Sequence, residues 1–324
     1  MLVDRSRPAS GVTGDSFAWI GGPPRQPDAS TPLRRAVLDD WARLERDVPG
    51  IKVCRTGSLS WGPQAFSDRS GPGSDERFVS AEEIARLEPN LRTPPQRAVL
   101  RPTDGAIAPI AVTEALVDEA RRHGAQVRLN ETVRGLRVRN RAVVGVETSM
   151  GTIVAGAVVL AAGVDAATLC APLDIDLPVA PSPAVLMGFN APPGVVRTVV
   201  SSPQVEVRQT PEGLLLAAEE YAAETNEDDL RHSARGTLQR LEETFSLPPD
   251  VQLVDARIGM RPMPADGLPI IGPLPSRGGA YIAVMHSAVT LAASAGRLVA
   301  AEVLDARNFT ELQHLRPDRF ATTG

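Results

Sequence analysis

The stretch Val158-Val159-Leu160-Ala161-Ala162-Gly163 decides how this chain folds. An apolar run of this length that ends in glycine has the form of a strand buried on both faces, as in a parallel sheet with both sides covered. The residues before it supply the covering layers. A helix opens at Pro109 and sets Val112, Ala115, Leu116 and Ala120 on one face. Glu114, Asp118, Arg121 and Arg122 lie on the other face, and Gly124 ends the helix. Strand patterns follow over residues 126–129, 133–138, 142–148 and 152–154, with turn residues between them.

Working outward, Leu2-Val3-Asp4 has the form of a strand end closing on an acid. Residues 9–32 are rich in Gly, Ser, Thr and Pro and are expected to form a loop. Leu33, Val37, Trp41 and Leu44 recur at helical spacing over 32–48. Residues 57–61 suggest a short strand, 64–76 a polar loop, and Ser80 with Glu83 a capping box. Residues 178–216 are β-rich, with strands expected at 184–189, 195–200, 205–208 and 214–217. A helix is expected over 225–245, with Thr225 and Asp228 as its capping pair, then a strand at 251–258. Residues 259–279 are rich in Pro and Gly and are expected to be irregular, ahead of a strand at 281–284 and a helix at 288–304. The alternation of an α/β layer with a β-rich layer predicts two interleaved domains.

Composition narrows the function. Of 324 residues, 43% are apolar and 23% charged, an ordinary globular balance, and the net charge is -5. Lys and Arg are scattered, so no stripe exists to follow a phosphate backbone, and nucleic acid is not expected as a partner. Cys54 and Cys170 stand far apart outside any CxxC spacing, which argues against a zinc site or a disulfide framework and suits a reducing compartment. The apolar stretch at 153–164 is too short to span a bilayer, and that at 280–303 is interrupted by His286, Ser287 and Arg297. No membrane association is expected. The opening Met1-Leu2-Val3-Asp4-Arg5 lacks the apolar core of a signal peptide, so a cytoplasmic location is the expectation.

The chemistry-bearing residues cluster in three places. Asp4, after a strand, suits hydrogen bonding to an adenosine ribose; alone, such an Asp is usually a solvated turn residue. Gly11-Val12-Thr13-Gly14-Asp15-Ser16-Phe17-Ala18-Trp19 follows it. The most specific pattern is C-terminal: Gly259-Met260-Arg261-Pro262, then Asp266-Gly267-Leu268-Pro269-Ile270-Ile271-Gly272-Pro273, then His286-Ser287-Ala288-Val289-Thr290 opening a helix. In this order and spacing the chain resembles the D-amino-acid oxidase family of flavoenzymes, which includes sarcosine and glycine oxidases. Asp104-Gly105-Ala106-Ile107-Ala108-Pro109 and the run 124–163 add to the likeness, and residues 178–256 match it only in outline.

The resemblance implies an α/β (α+β two-domain) fold, a truncated Rossmann-like FAD-binding domain interleaved with an antiparallel β-rich substrate domain. The cofactor domain would comprise 1–55, 102–176 and 257–324, and the substrate domain 56–101 and 177–256. It implies non-covalent FAD, since no cysteine stands near Arg261. The cofactor-binding set would be Asp4, Thr13, Gly14, Ser16, Val133, Ala162, Gly163, Gly259, His286, Ser287, Ala288, Val289 and Thr290. Arg261 would be the catalytic-site residue, holding a substrate carboxylate with its planar charged fork. The implied reaction is oxidation of a small amine or amino acid by hydride transfer to the flavin.

The family's opening strand–GxGxxG–helix unit has no counterpart in these residues. An upstream segment or a partner chain is therefore expected to complete the FAD site. The competing reading is a non-catalytic remnant or accessory subunit that binds a small ligand or a partner chain. A nicotinamide-dependent dehydrogenase is weaker, because the Arg261–Thr290 pattern has no role in it. Tyr221, Glu219 and Arg208 are candidates to set specificity from the β-rich part.

Overall fold

The computed structural model describes residues 1–23, 27–66, 76–224, 226–275 and 277–320. Parts of the expected loops, 24–26 and 67–75, and the capping residue Thr225 lie outside the described residues.

The β-rich part is an eight-stranded sheet. Its strands run in the order Gln252–Pro264, Val179–Asn190, Leu214–Glu220, Glu206–Gln209, Val199–Ser201, Ser58–Ser60, Arg97–Arg101 and Arg77–Ser80. All neighbours are antiparallel except Val199–Ser201 with Ser58–Ser60. One face carries Val185, Met187, Val207, Leu215 and Ala217 into a core with Ala234, Leu241 and Phe245. Ala234 and Leu241 belong to the helix Glu227–Thr244, and Phe245 caps its C-terminal end. Asn226 caps that helix, its side chain accepting from the N–H groups of Asp228 and Asp229. The opposite face of the sheet fronts the α/β part.

In the α/β part, the helices Thr31–Arg35, Val37–Asp47 and Ala288–Asp305 pack around Leu33, Trp41, Leu291 and Leu298. The Asp40 carboxylate receives Arg297 in a fork, Nε at 2.7 Å and Nη2 at 3.0 Å, which joins two of these helices. The helix Pro109–Arg122 and the antiparallel meander Val133–Arg139, Ala142–Thr148 and Gly151–Val154 occupy the predicted places. Val158–Leu160 then runs parallel to Ala280–Val284, which pairs in turn with Ile270–Pro273. Leu2–Val3 runs parallel to Val127–Arg128. The expected α/β fold class, with a β-rich antiparallel part, is what the structure shows.

The parallel layer is in two pieces. Among the described residues, Leu2–Val3 pairs on one side only, and so does Val158–Leu160. Leu2 and Val159 are exposed although both are apolar.

One expectation fails locally. Residues 259–279 are not irregular throughout: 259–264 continue the strand Gln252–Pro264, and Ile270–Pro273 is a strand of its own. The prolines misled the reading. Gln252–Pro264 is the sheet edge, and Val179–Asn190 has its second neighbour only from Ala184 onward. Pro181, Pro183, Pro262 and Pro264 therefore lie where a missing N–H can face an open side. This strand also passes the expected domain boundary at 257 without a break.

Candidate active site

A cleft of about 570 Å³ lies between the open face of the eight-stranded sheet and the start of the helix Ala288–Asp305. The loop Val12–Trp19 forms its side wall. Gly259 lets this loop pack closely on the sheet: a Cβ there would come within 3.1 Å of Val12 Cγ2, which would have to shift by a few tenths of an ångström. The loop is fixed from several sides. Arg208, buried in the sheet, donates from Nε to the Phe17 carbonyl at 2.6 Å and from Nη2 to the Ile107 carbonyl at 3.3 Å. Burial pulls its pKa down to about 10. Trp19 Nε1 donates to Asp104 Oδ2 at 2.9 Å, and Ser58 Oγ donates to the same oxygen at 2.8 Å. Asp104 is buried, and desolvation raises its pKa despite those bonds.

Thr13, Ser16, Gly259, Arg261, His286, Ser287, Ala288, Val289 and Thr290 all line this one cleft. Their polar groups are not equally available. The Gly14 and Ser16 N–H groups donate to the Gly11 and Thr13 carbonyls within the loop. Ser16 Oγ accepts from the Ala18 N–H at 3.0 Å. The Thr290 hydroxyl donates to the Trp19 carbonyl at 2.7 Å, and Trp41 Nε1 donates to the Thr290 carbonyl at 2.9 Å. These bonds pin the helix start to the wall. Its first N–H groups, from Ala288 onward, have no side-chain cap, so they present the positive end of the helix dipole to the cleft.

Arg261 lies at one corner of the sheet floor. Its Nε donates to the Ser182 carbonyl at 3.2 Å, and its Nη2 to Ser182 Oγ at 3.0 Å and the Pro183 carbonyl at 3.3 Å. Glu220, exposed, approaches to 3.6 Å. Nη1 makes no hydrogen bond to the described residues, which leaves a donor edge for a carboxylate. His286 is held below its ordinary pKa, by burial first and then by the charges of Arg261 and Arg34. Its imidazole is therefore neutral at neutral pH.

Asp4, Gly14, Val133, Ala162 and Gly163 do not line the cleft. Asp4, Val133, Ala162 and Gly163 gather instead where the two pieces of the parallel layer end. The Asp4 N–H donates to the Arg128 carbonyl at 2.9 Å, and the Asp4 carbonyl accepts from Glu131, two residues before Val133. Arg5 bridges to Asp165 at 2.7 Å, just past Gly163, which turns the chain with φ +57°. The Asp4 carboxylate accepts from the Ser6 N–H at 2.8 Å.

The residues fit the two ends of FAD unequally. Uncapped amides and an open cleft suit the flavin ring end. At the other end Asp4 and Gly163 are present, but no glycine nest for a pyrophosphate appears among the described residues. No group of acidic, histidine or cysteine side chains suited to a metal ion occurs among them either. No helix among them is long and apolar enough to cross a membrane.

The geometry defines an open cleft on an α/β scaffold. Residues 1–302 match the family described as FAD dependent oxidoreductase (DAO), and the chain belongs to it. An uncharacterized oxidoreductase of Halorhodospira halophila is 36% identical over 201 residues, covering 58% of this chain and 89% of that protein. The glycine oxidase of Geobacillus kaustophilus is 29% identical over 238 residues, or 71% of this chain and 62% of that protein. A D-amino acid dehydrogenase of Cereibacter sphaeroides is 27% identical over 271 residues, or 76% of this chain and 58% of that protein. The chain thus spans less than two thirds of the last two. The fold is shared with the crystal structure of a glycine oxidase from Geobacillus kaustophilus (TM-score 0.85, 22% identity), across 98% of this chain and 91% of that one.

Two site residues escaped the sequence reading. Glu206 and Glu220 lie on the cleft floor; of the three specificity candidates Glu219 also lines the cleft, and the side chains of all three are engaged by other groups. Arg208 holds Phe17, Glu219 accepts from Thr237 and Arg240, and the Tyr221 hydroxyl donates to the Glu224 carbonyl. The signal was strand parity: residues 206, 218 and 220 share one face once the register is known.

Proposed function

We propose that this chain is the flavin- and substrate-facing part of an FAD-dependent enzyme that oxidises the C–N bond of a small amino acid or amine. The observation that carries the reading is the placement of Arg261 and the uncapped start of the helix Ala288–Asp305 on one cleft. Non-covalent FAD supplies the two-electron acceptor when bound. Ser287, Ala288, Val289 and Thr290 would hold the ring end through main-chain N–H groups, and Thr13 through a hydroxyl that bonds to none of the described residues. Arg261 binds the substrate carboxylate at its open Nη1 edge and so orients the amine-bearing carbon toward the ring end. The neutral His286 adds no charge that would compete for that carboxylate. Phe17 and Trp19 keep bulk water from one side of the cleft.

We further propose the division into a cofactor part (1–55, 102–176, 257–324) and a substrate part (56–101, 177–256), in line with the separate cores on either side of the cleft. Residues beyond these 324 would supply the pyrophosphate cradle and a strand between Leu2–Val3 and Val158–Leu160. The two open edges support this. The free thiols Cys54 and Cys170 suit a cytoplasmic setting.

The test is an absorption spectrum of the protein with added FAD, alone and with an upstream strand–glycine-loop–helix unit joined to Met1, followed by anaerobic addition of amino acids. Bleaching of the flavin bands is the expected result. In that protein Arg261→Met should weaken carboxylate-bearing substrates roughly 100-fold with the flavin still bound. A colourless protein in both forms would sink the reading and favour the accessory-subunit alternative.

A further inference from the structure

Arg261 occupies one corner of the cleft floor, and the opposite corner holds an acid without a partner. Register places Glu206 across from Ala218, and Ala218 across from Leu186. Ala184 faces both Glu220 and Gly259, and Ser182 faces Arg261. Cross-strand partners share a face, so these side chains all rise from the same floor. Glu206 and Arg261 lie three strands and four residues apart, roughly 20 Å between Cα atoms at ordinary strand spacings. They do not pair with one another.

The Glu206 carboxylate makes no hydrogen bond or ion pair with any described residue, yet it lines the cleft. The nearby cations are already engaged. Arg208, on the same strand and face, is turned to the Phe17 and Ile107 carbonyls. Arg257 is shared between Asp255 and Asp15, and Arg261 is bonded to Ser182 and Pro183. Glu219 gives no relief, because its carboxylate goes to Thr237 and Arg240 on the helix side of the sheet. Burial, then the charges of Glu220 and Glu219, raise the Glu206 pKa, while Arg261 lowers it. A partly buried carboxylate without a partner is costly unless a proton or a cation meets it. The cleft geometry favours a ligand, since the acid stands diagonally across the floor from a free guanidinium edge.

We propose that Glu206 is a specificity residue that receives a cationic group at the end of the substrate remote from its carboxylate, so the cleft selects amino acids with a basic side chain. This rests on Arg261 as the carboxylate anchor. An amino acid of this class carries opposite charges at its two ends, as the floor does in reverse. Glu220, exposed beside Arg261, is displaced by the incoming carboxylate.

The test is calorimetric binding of lysine and norleucine, each as both enantiomers, to the FAD-loaded protein. The two ligands match in length and differ in the terminal charge. Lysine is expected to bind about 10-fold to 100-fold tighter than norleucine, the span of one charge-assisted hydrogen bond. Glu206→Gln should abolish that preference while leaving norleucine affinity in place, which also shows that the variant is folded. Glu220→Gln should keep the preference. Equal binding of lysine and norleucine, a preference that survives Glu206→Gln, or one lost in Glu220→Gln would each overturn the assignment and leave the Arg261 reading intact. If neither ligand binds, the anchor reading falls and this inference with it.

Discussion

The two sides of the parallel layer are held in opposite ways. On the closed side, Ala280–Val284 lies between Val158–Leu160 and Ile270–Pro273, and the C-terminal segment is clamped behind it. Glu302 receives both arms of Arg316, at 2.6 and 2.7 Å, together with the Tyr281 hydroxyl at 2.5 Å and the Phe309 N–H at 3.1 Å. On the open side, Leu2–Val3 and Val158–Leu160 each show an unpaired edge with apolar side chains in solvent. The cleft borders the closed side, and there the polar groups of its wall are mostly bonded. The lesson is that the cleft wall is fixed by bonds within these residues, while the edges near Asp4 and Gly163 stay open among the described residues.

The largest effect expected from breaking this contrast comes from the clamp. Glu302→Ala takes the carboxylate from a partly buried guanidinium and leaves the Tyr281 hydroxyl and the Phe309 N–H without their acceptor, and should cost about 3–5 kcal/mol, read by denaturant unfolding. Its pH dependence has a definite sign. Arg316 and Tyr281 hold the Glu302 carboxyl below its ordinary value of 4.5. The clamp therefore contributes fully above that value, and its contribution fades as pH falls through the lower folded value. The gap between wild type and Glu302→Ala should shrink in acid; a gap that widens there would contradict the assignment.

A paired comparison comes next. Ile282 is fully buried on the closed side, and Ile282→Ala should cost about 2–5 kcal/mol. Val159→Lys on the open side should change stability by less than about 0.5 kcal/mol in these 324 residues. With the upstream unit joined, the lysine would be covered, and the cost should rise to that of a buried unpaired charge. An unchanged cost would mean that no strand enters the gap.

The smallest effect tests the cleft wall. Thr290→Val removes the bond to the Trp19 carbonyl and should cost about 1 kcal/mol. Near-ultraviolet circular dichroism should report a changed Trp19 environment.

Much of the fold was legible because it rests on local chemistry. Pro109 and Gly124 bracket a helix, and the alternation through 133–154 gives the meander almost to the residue. The prolines at 262 and 264 hid a strand, because only sheet order reveals that it is an edge. The cleft-lining half of the candidate site was visible through the motif around Arg261 and His286. Glu206 was not, since an acid in a short strand looks like any solvent-facing residue until its partners are known.

The sequence by itself determined most of the elements, the family and the chemical character of Arg261, because periodicity, capping and motif spacing act over short distances along the chain. Only the tertiary structure decided which polar groups remain available. Hydrogen bonds between residues nearly 200 or more positions apart, such as Arg208 to Phe17 and Thr290 to Trp19, consume groups that look free in the sequence. The same long-range pairing leaves Glu206 and two strand edges unmatched among the described residues.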